Sequence, residues 1–150
     1  MLSGNLIHLI EVHHKEITGR TIREIARHPD MVHLRTLPEA ELCERSQDLL
    51  EHLGDWLTSG SEEELARQQE AIGITRFEQN IPLHEAVRAL CLIKYNLIDF
   101  VEEHGLPKDS IGLYAEEELE HRVGQFFDLL IIHLVRGYEL AWHRAAQAVV

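Results

Sequence analysis

The amino-acid sequence predicts an all-α fold, and three observations support this. Apolar residues recur at the three- and four-residue spacing of helices along nearly the whole chain, and the apolar–polar alternation of strands does not occur. The prolines fall between the helical segments. A length of 150 residues with 45% hydrophobic content suits one domain with its own core. We therefore expect five to six helices in a single bundle-like or globin-like domain, residues 1–150.

The first helix is expected from about Ser3 to Arg27. Gly19 is a candidate position for a bend. Pro29 ends the helix, because proline lacks the N–H group and disfavours helical geometry in the residue before it.

The second helix is expected from about residue 36 to Ser59-Gly60, with Pro38 near its first turn. Ser61 followed by Glu64 has the spacing of a capping box, which predicts the start of a third helix.

Pro82 opens the fourth helix, which Gly105 and Pro107 end. The fifth begins between residues 109 and 115, and no terminator appears before Val150.

The fifth helix is unusually long and unusually apolar. Residues 113–150 would span about 55 Å at 1.5 Å per residue, whereas a compact domain of this size is roughly 40 Å across. The helix should therefore extend beyond its own domain, and we interpret it as a connector to a further part of a longer protein. Its main apolar stripe consists of Val123, Phe126, Phe127, Leu130, Leu134, Tyr138 and Trp142.

A second apolar face of the same helix carries Leu129, Ile132 and Val135. A helix that is apolar on two faces needs a second partner. The partner is either the same helix of another copy or the interior of the same chain, and the sequence leaves both open.

Composition excludes several function classes. The net charge is -12, from 26 acidic and 14 basic residues, which disfavours binding to nucleic acid or to an anionic membrane. No apolar stretch reaches the roughly 20 residues of a membrane span, and no signal peptide is recognisable. Cys43 and Cys91 have apolar neighbours and are expected to be free thiols. We expect a cytoplasmic protein.

Two Glu-x-x-His pairs, Glu11 with His14 and Glu118 with His121, have the spacing used in di-iron helical bundles. However, His121 points away from the main apolar stripe, whereas such sites project inward. The other carboxylates that could complete a site, Glu70, Glu78 and Glu85, are expected on the solvent side. We therefore expect no metal site and a surface role for all these residues.

A haem would need an inward-facing histidine in an apolar pocket, and the only candidates are His133 and His84. A hydrogen-bonded histidine in the core or at an interface is the favoured interpretation for each. No nucleophile elbow and no glycine-rich phosphate loop is present, so no catalytic residues are expected. Asp128, Arg136 and Glu139 share a stripe of the last helix, and either form ion pairs or line a ligand pocket.

Three segments carry a resemblance to a known family: ITRFEQNIPLHEAVRAL at residues 74–90, LYAEEELEHR at 113–122 and HLVRGYELAW at 133–142. They resemble the RsbRD N-terminal domain family, the sensor modules of RsbR-type stressosome proteins. Similar modules precede bacterial histidine kinases. The resemblance extends over nearly the whole chain and is clearest over residues 70–145.

The resemblance implies a globin-like fold without haem or other cofactor, a homodimer, and a downstream STAS or histidine-kinase output domain. In related globin-coupled sensors the last two long helices of each chain form a four-helix dimer bundle. Here these helices would be residues 82–104 and 113–150. The predicted dimer contacts are Phe126, Phe127, Leu130, Leu134, Tyr138 and Tyr95. The function this implies is a non-enzymatic, dimeric signal-input domain, with a haem- or metal-binding sensor as the alternative and a di-iron enzyme as the least favoured one.

Overall fold

The computed structural model describes residues 2–59, 61–104 and 109–148. Within these ranges the chain forms six α-helices and one short 3-10 helix, Leu34–Thr36, and no strand. The helices are α1 Leu2–Val12, α2 His14–Arg27, α3 Glu39–Ser59, α4 Glu62–Glu78, α5 Leu83–His104 and α6 Ser110–Ala148. The all-α prediction with a long C-terminal helix is confirmed. The predicted terminators Gly60, Gly105 and Pro107 lie outside the described residues, and so does Val150, up to which the last helix was expected to run.

The first predicted helix is in fact two helices. The chain leaves helical geometry at His13 (φ -106°, ψ 19°), whereas Gly19 lies inside the unbroken α2. The break coincides with a change of packing partners: α1 packs on α6 as well as α3 and α5, while α2 packs mainly on α5 and α3. The prediction of a bend at Gly19 is wrong because tertiary packing, not glycine, sets the position of the break.

The predicted capping box is also wrong. Ser61 occupies the N-cap position of α4, but its side chain makes no capping hydrogen bond. Glu64 instead accepts a hydrogen bond from Gln68, one turn further on. The start of α6 is capped as sequence rules expect, since the Asp109 carboxylate accepts the N–H of Gly112 at 2.7 Å.

Helix α4 ends in a Schellman motif. Asn80 adopts a left-handed conformation (φ 60°), the N–H of Asn80 bonds to the carbonyl of Phe77, and the N–H of Ile81 bonds to the carbonyl of Arg76. Ile81 is buried immediately after the turn. This motif directs the chain from α4 into α5, and Pro82 then opens α5 as predicted.

One hydrophobic cluster draws on every helix. Its members include Leu6, Ile17, Leu50, Leu65, Leu97 and Phe126, one from each of α1 to α6. Within the described part of the chain no helix is both long and apolar enough to cross a membrane.

Helices α4 and α6 form the most extensive helix pair. Their backbones approach at two glycines, Gly73 and Gly137, and a Cβ atom placed on Gly137 would lie 2.9 Å from the Cα of Gly73. An isolated glycine inside a helical pattern usually has a packing reason, so the sequence held a signal for this crossing.

Candidate functional site

Helix α6 is the candidate functional element, and its main apolar stripe lies in the interior of the chain, with the exception of the exposed Trp142 near the end of the helix. Phe126, Phe127, Leu130, Leu134 and Tyr138 are all buried by other helices of the same chain. The ring of Phe126 packs on Trp56 of α3 with centroids 5.7 Å apart. A second chain cannot contact these five side chains while this fold is kept. Of the six predicted dimer contacts, only Tyr95 of α5 is exposed, at 56%.

The second apolar face of α6 is the one that reaches the surface. Ile132 is 52% exposed, and Leu129 and Val135 are half-buried on either side of it. The two faces therefore have different roles: the main stripe fills the core, and the second face remains available for a partner.

The last turns of α6 extend past the helices that cover the rest of it. Ala141 is buried, Trp142 is 60% exposed, and each described residue from there to Ala148 is exposed. At 1.5 Å per residue, the 39 residues of α6 span about 58 Å. This agrees with the sequence-based estimate that the helix extends beyond its domain.

A polar cluster joins α4 to α6 beside the buried stripe. His133 is buried, its Nε2 lies 3.1 Å from the Glu62 carboxylate, and its Nδ1 lies 3.8 Å from that of Glu70. The Glu70 carboxylate also pairs with Arg136 at 3.4 Å. His133 thus links α6 to α4 through its hydrogen bond with Glu62, while its buried Nδ1 makes no hydrogen bond.

The two haem candidates do not face a common space. The five helices α2 to α6 surround a cavity of about 400 Å³, and neither His133 nor His84 lines it. His84 is exposed in the first turn of α5. Asp128, Arg136 and Glu139 are exposed and do not line this cavity, and Arg136 forms an ion pair with Glu70.

The four metal candidates are also dispersed. The break at His13 puts Glu11 on α1 and His14 on α2, so they no longer share a helical face. Glu118 and His121 are exposed on α6. Over residues 2–59, 61–104 and 109–148 no group of three or more His, Cys, Asp or Glu side chains has an arrangement that could hold a metal ion.

The expected solvent position of Glu85 is wrong. This side chain in the first turn of α5 is only 1% exposed, and its carboxylate accepts the backbone N–H groups of His33 at 2.9 Å and Leu34 at 3.1 Å. It also pairs with the His33 ring at 2.7 Å. Burial acts to raise the pKa of Glu85, but these hydrogen bonds outweigh it and the pKa is lowered. Glu85 thus fixes the connection before α3, a long-range role with no local sequence signal.

Tyr138 anchors α6 to the end of α4. Its hydroxyl donates a hydrogen bond to the carbonyl of Ile81 at 2.9 Å, and burial raises the pKa of Tyr138 to about 12. The neighbouring Arg76 is also buried and donates to Glu41 of α3 at 2.8 Å. These bonds hold the α4–α5 corner against α3 and α6.

Two carboxyl groups meet where α5 approaches α6. The pKa of Glu120 is raised to about 7 by partial burial, by a hydrogen bond with Glu102 and by the charges of Glu102, Glu116 and Glu117. The proton shared between α5 and α6 is therefore lost close to neutral pH.

Comparison with known proteins adds one positive finding. The family model described as RsbT co-antagonist protein rsbRD N-terminal domain matches residues 15–149. Its match covers α2 to α6 and begins after α1. Neither the curated proteins nor the solved structures contain a match to the chain.

Proposed function

Because the chain belongs to the family of RsbT co-antagonist protein rsbRD N-terminal domains, we propose that it is a non-enzymatic, dimeric signal-input domain. It would serve a bacterial stress-response or two-component regulator in the cytoplasm, upstream of a STAS or histidine-kinase output domain. The observation that carries the proposal is the second apolar face of α6, on which Ile132 is exposed and Leu129 and Val135 are only partly covered by their own chain.

The dimer would use this second face rather than the buried stripe. Ile132 is exposed and flanked by half-buried Leu129 and Val135, and on α5 the exposed aromatic residue is Tyr95. Exposed apolar side chains on adjacent helices favour burial against a second copy related by a two-fold axis. The net charge of -12 of the whole chain disfavours nucleic acid as the partner.

The exposed end of α6 would carry the signal onward. A continuous helix transmits a small rotation or shift of its packed part to its far end, because helices move as stiff elements. The part of α6 that would move lies between the core on one side and the partner helix on the other. A change in packing at either side would alter the position of the segment from Trp142 to Ala148.

The test compares two variants that place the same charge on an exposed apolar position. Ile132→Glu puts a carboxylate on the proposed dimer face, and Val32→Glu puts one on the connection between α2 and α3, where Val32 is also exposed. Sedimentation velocity at micromolar concentration should give a dimer for the wild type and for Val32→Glu, and a monomer for Ile132→Glu. All three should keep the same helical circular dichroism.

A wild-type monomer at that concentration would contradict the dimeric part of the proposal. A dimer that resists Ile132→Glu would place the interface elsewhere. The haem or metal alternative is checked on the same sample: a Soret band or stoichiometric iron or zinc in the purified protein would favour it over the cofactor-free module.

A further inference from the structure

The cavity between the helices has the size of a small-molecule site. It encloses about 400 Å³, within the range of ligand pockets, and five helices supply its walls. Representative apolar members are Ile25, Leu49, Ile72, Leu90 and Phe126, one from each of α2 to α6. The volume is far larger than a packing defect of one or two methyl groups.

The cavity opens between α3 and α4, two helices that make little direct contact. Arg45 and Asp48 of α3 and Ala71 of α4 line it there, and Arg45 and Ala71 are exposed. The opening thus carries one basic and one acidic side chain, while the whole chain has a net charge of -12. Because the charges of Arg45 and Asp48 offset each other, the opening does not attract an anion. The apolar walls disfavour the burial of a cation.

Most polar groups in the wall already have partners inside the protein. Thr21 donates to a backbone carbonyl of its own helix, and Ser46 shares a hydrogen bond with Thr18 at 2.9 Å. The guanidinium of Arg76 donates to Glu41. These groups are therefore not available to bind a polar ligand.

Gln69 of α4 is different. It is 5% exposed, it lines the cavity, and its amide makes no hydrogen bond with another residue of the described ranges. The amide is not among the fully enclosed unpaired polar atoms of the described residues, so it is reachable from the cavity, and a group that enters the cavity can bond with its donor or acceptor. Among the buried polar side chains of the wall, Gln69 is therefore the one that has its amide free for a ligand, while Thr21, Ser46 and Arg76 are bonded within the protein.

We propose that this cavity binds an uncharged, mainly apolar small molecule that carries one hydrogen-bonding group, which meets the amide of Gln69. The ligand would touch Phe126, Leu130 and Leu134 on the inner stripe of α6. The same helix carries the exposed Ile132 on its second apolar face. A ligand in the cavity and a partner on the second face would therefore both contact α6, and each could shift its position. The inference deepens the proposed function by naming the chemical class of the signal.

The test uses three probes with the same apolar body: naphthalene, 1-naphthol and 1-naphthoate. Isothermal titration of the full chain should give saturable binding of the two uncharged probes. We expect 1-naphthol to bind about three- to tenfold more tightly than naphthalene, the contribution of one net hydrogen bond. 1-Naphthoate should bind at least roughly tenfold more weakly than 1-naphthol, because its charge must be buried.

Three variants locate the site. Gln69→Met keeps the shape of the side chain and should remove the preference for 1-naphthol while leaving naphthalene affinity within about twofold. Ala89→Phe, which fills the cavity, and Ala71→Phe, which covers its opening, should abolish binding of both probes. Ala40→Phe adds the same ring at an exposed position outside the cavity and should leave binding unchanged.

Absence of saturable binding of 1-naphthol to the wild type would overturn the inference, and so would tighter binding of 1-naphthoate. Unchanged 1-naphthol affinity in a folded Ala89→Phe or Ala71→Phe chain would do the same. If both variants fail to fold, the ¹⁵N–¹H signals of the Gln69 side-chain amide in the wild type decide, since they must shift on addition of 1-naphthol. Probe binding and oligomeric state are measured independently. A failure of 1-naphthol to bind therefore does not contradict the proposed dimer, and a monomeric wild type does not contradict the proposed ligand site.

Discussion

The close approach of α4 and α6 gives the sharpest prediction of stability. A Cβ atom on Gly137 would lie 2.9 Å from the Cα of Gly73 and 3.0 Å from the carbonyl carbon of Glu70, and closer still to the Glu70 carbonyl oxygen. Carbon atoms in favourable contact are about 3.5–4.0 Å apart, so Gly137→Ala forces the two helices to separate locally by roughly 1 Å. Neither backbone can rotate away as a flexible side chain would.

Two effects determine how much Gly137→Ala changes the free energy of unfolding. Overpacking of a tight interface costs about 1–3 kcal/mol, and contact with rigid backbone favours the upper half of that range. Alanine in place of glycine inside a helix contributes about 1 kcal/mol of stabilisation. We therefore expect Gly137→Ala to lower the free energy of unfolding by about 1–2 kcal/mol.

Gly124→Ala is the matched control on the same helix. A Cβ atom on Gly124 has nothing within 4 Å, so this variant should gain the helix-propensity term alone, about 1 kcal/mol. The free energy of unfolding of Gly124→Ala should exceed that of Gly137→Ala by about 2–3 kcal/mol, which corresponds to roughly 5–10 °C in Tm for a chain of this size. Thermal and urea unfolding followed by circular dichroism at equal protein concentration measures this difference. If Gly137→Ala is as stable as Gly124→Ala, the tight helix crossing is refuted.

Three further variants test individual contacts. Because the pKa of Glu120 is raised to about 7 from 4.5, the wild type should lose stability as pH rises from 4.5 through 7. Glu120→Gln should have the same free energy of unfolding as the wild type near pH 4.5. At about pH 8 its free energy of unfolding should be higher by about 1 kcal/mol, a value that allows for solvent screening. Urea unfolding across pH checks this, and equal pH dependence of the two chains would contradict the contact with Glu102. Glu85→Ala leaves two backbone N–H groups unpaired and should cost about 3 kcal/mol at neutral pH. Since the Glu85 pKa is lowered, this deficit should shrink as pH falls below about 4.5, and a constant deficit in acid would argue against the role of the charge. Tyr138→Phe removes the bond to the carbonyl of Ile81 and should cost about 1–2 kcal/mol in the same assay, whereas an unchanged midpoint would mean that water replaces the hydroxyl.

The boundaries that rest on local chemistry were predictable. Pro82 precedes α5, Asp109 caps α6, and Ser59 is the last residue of α3. Each depends on the backbone chemistry of a few neighbouring residues, which the sequence contains in full.

The boundaries and sites that rest on distant partners were not predictable. Glu85 is buried because backbone N–H groups about fifty residues earlier in the chain point at it. The break at His13 follows from what α1 and α2 pack against, and Gln69 becomes a candidate ligand contact only because five helices leave a space beside it. None of these features leaves a pattern within one helix.

By itself the sequence determined the helical class, the length of α6 and the presence of two apolar faces on it, since each follows from residue spacing along one helix. Only the tertiary structure decided which face is which. It placed Phe126 and Tyr138 inside the chain and left Ile132 at the surface. The physical reason is that an apolar stripe shows which surface of a helix is more stable when buried. It does not show whether the side chains that bury it come from the same chain or from another. That depends on how closely the other helices approach α6, and glycines such as Gly73 and Gly137 set that distance.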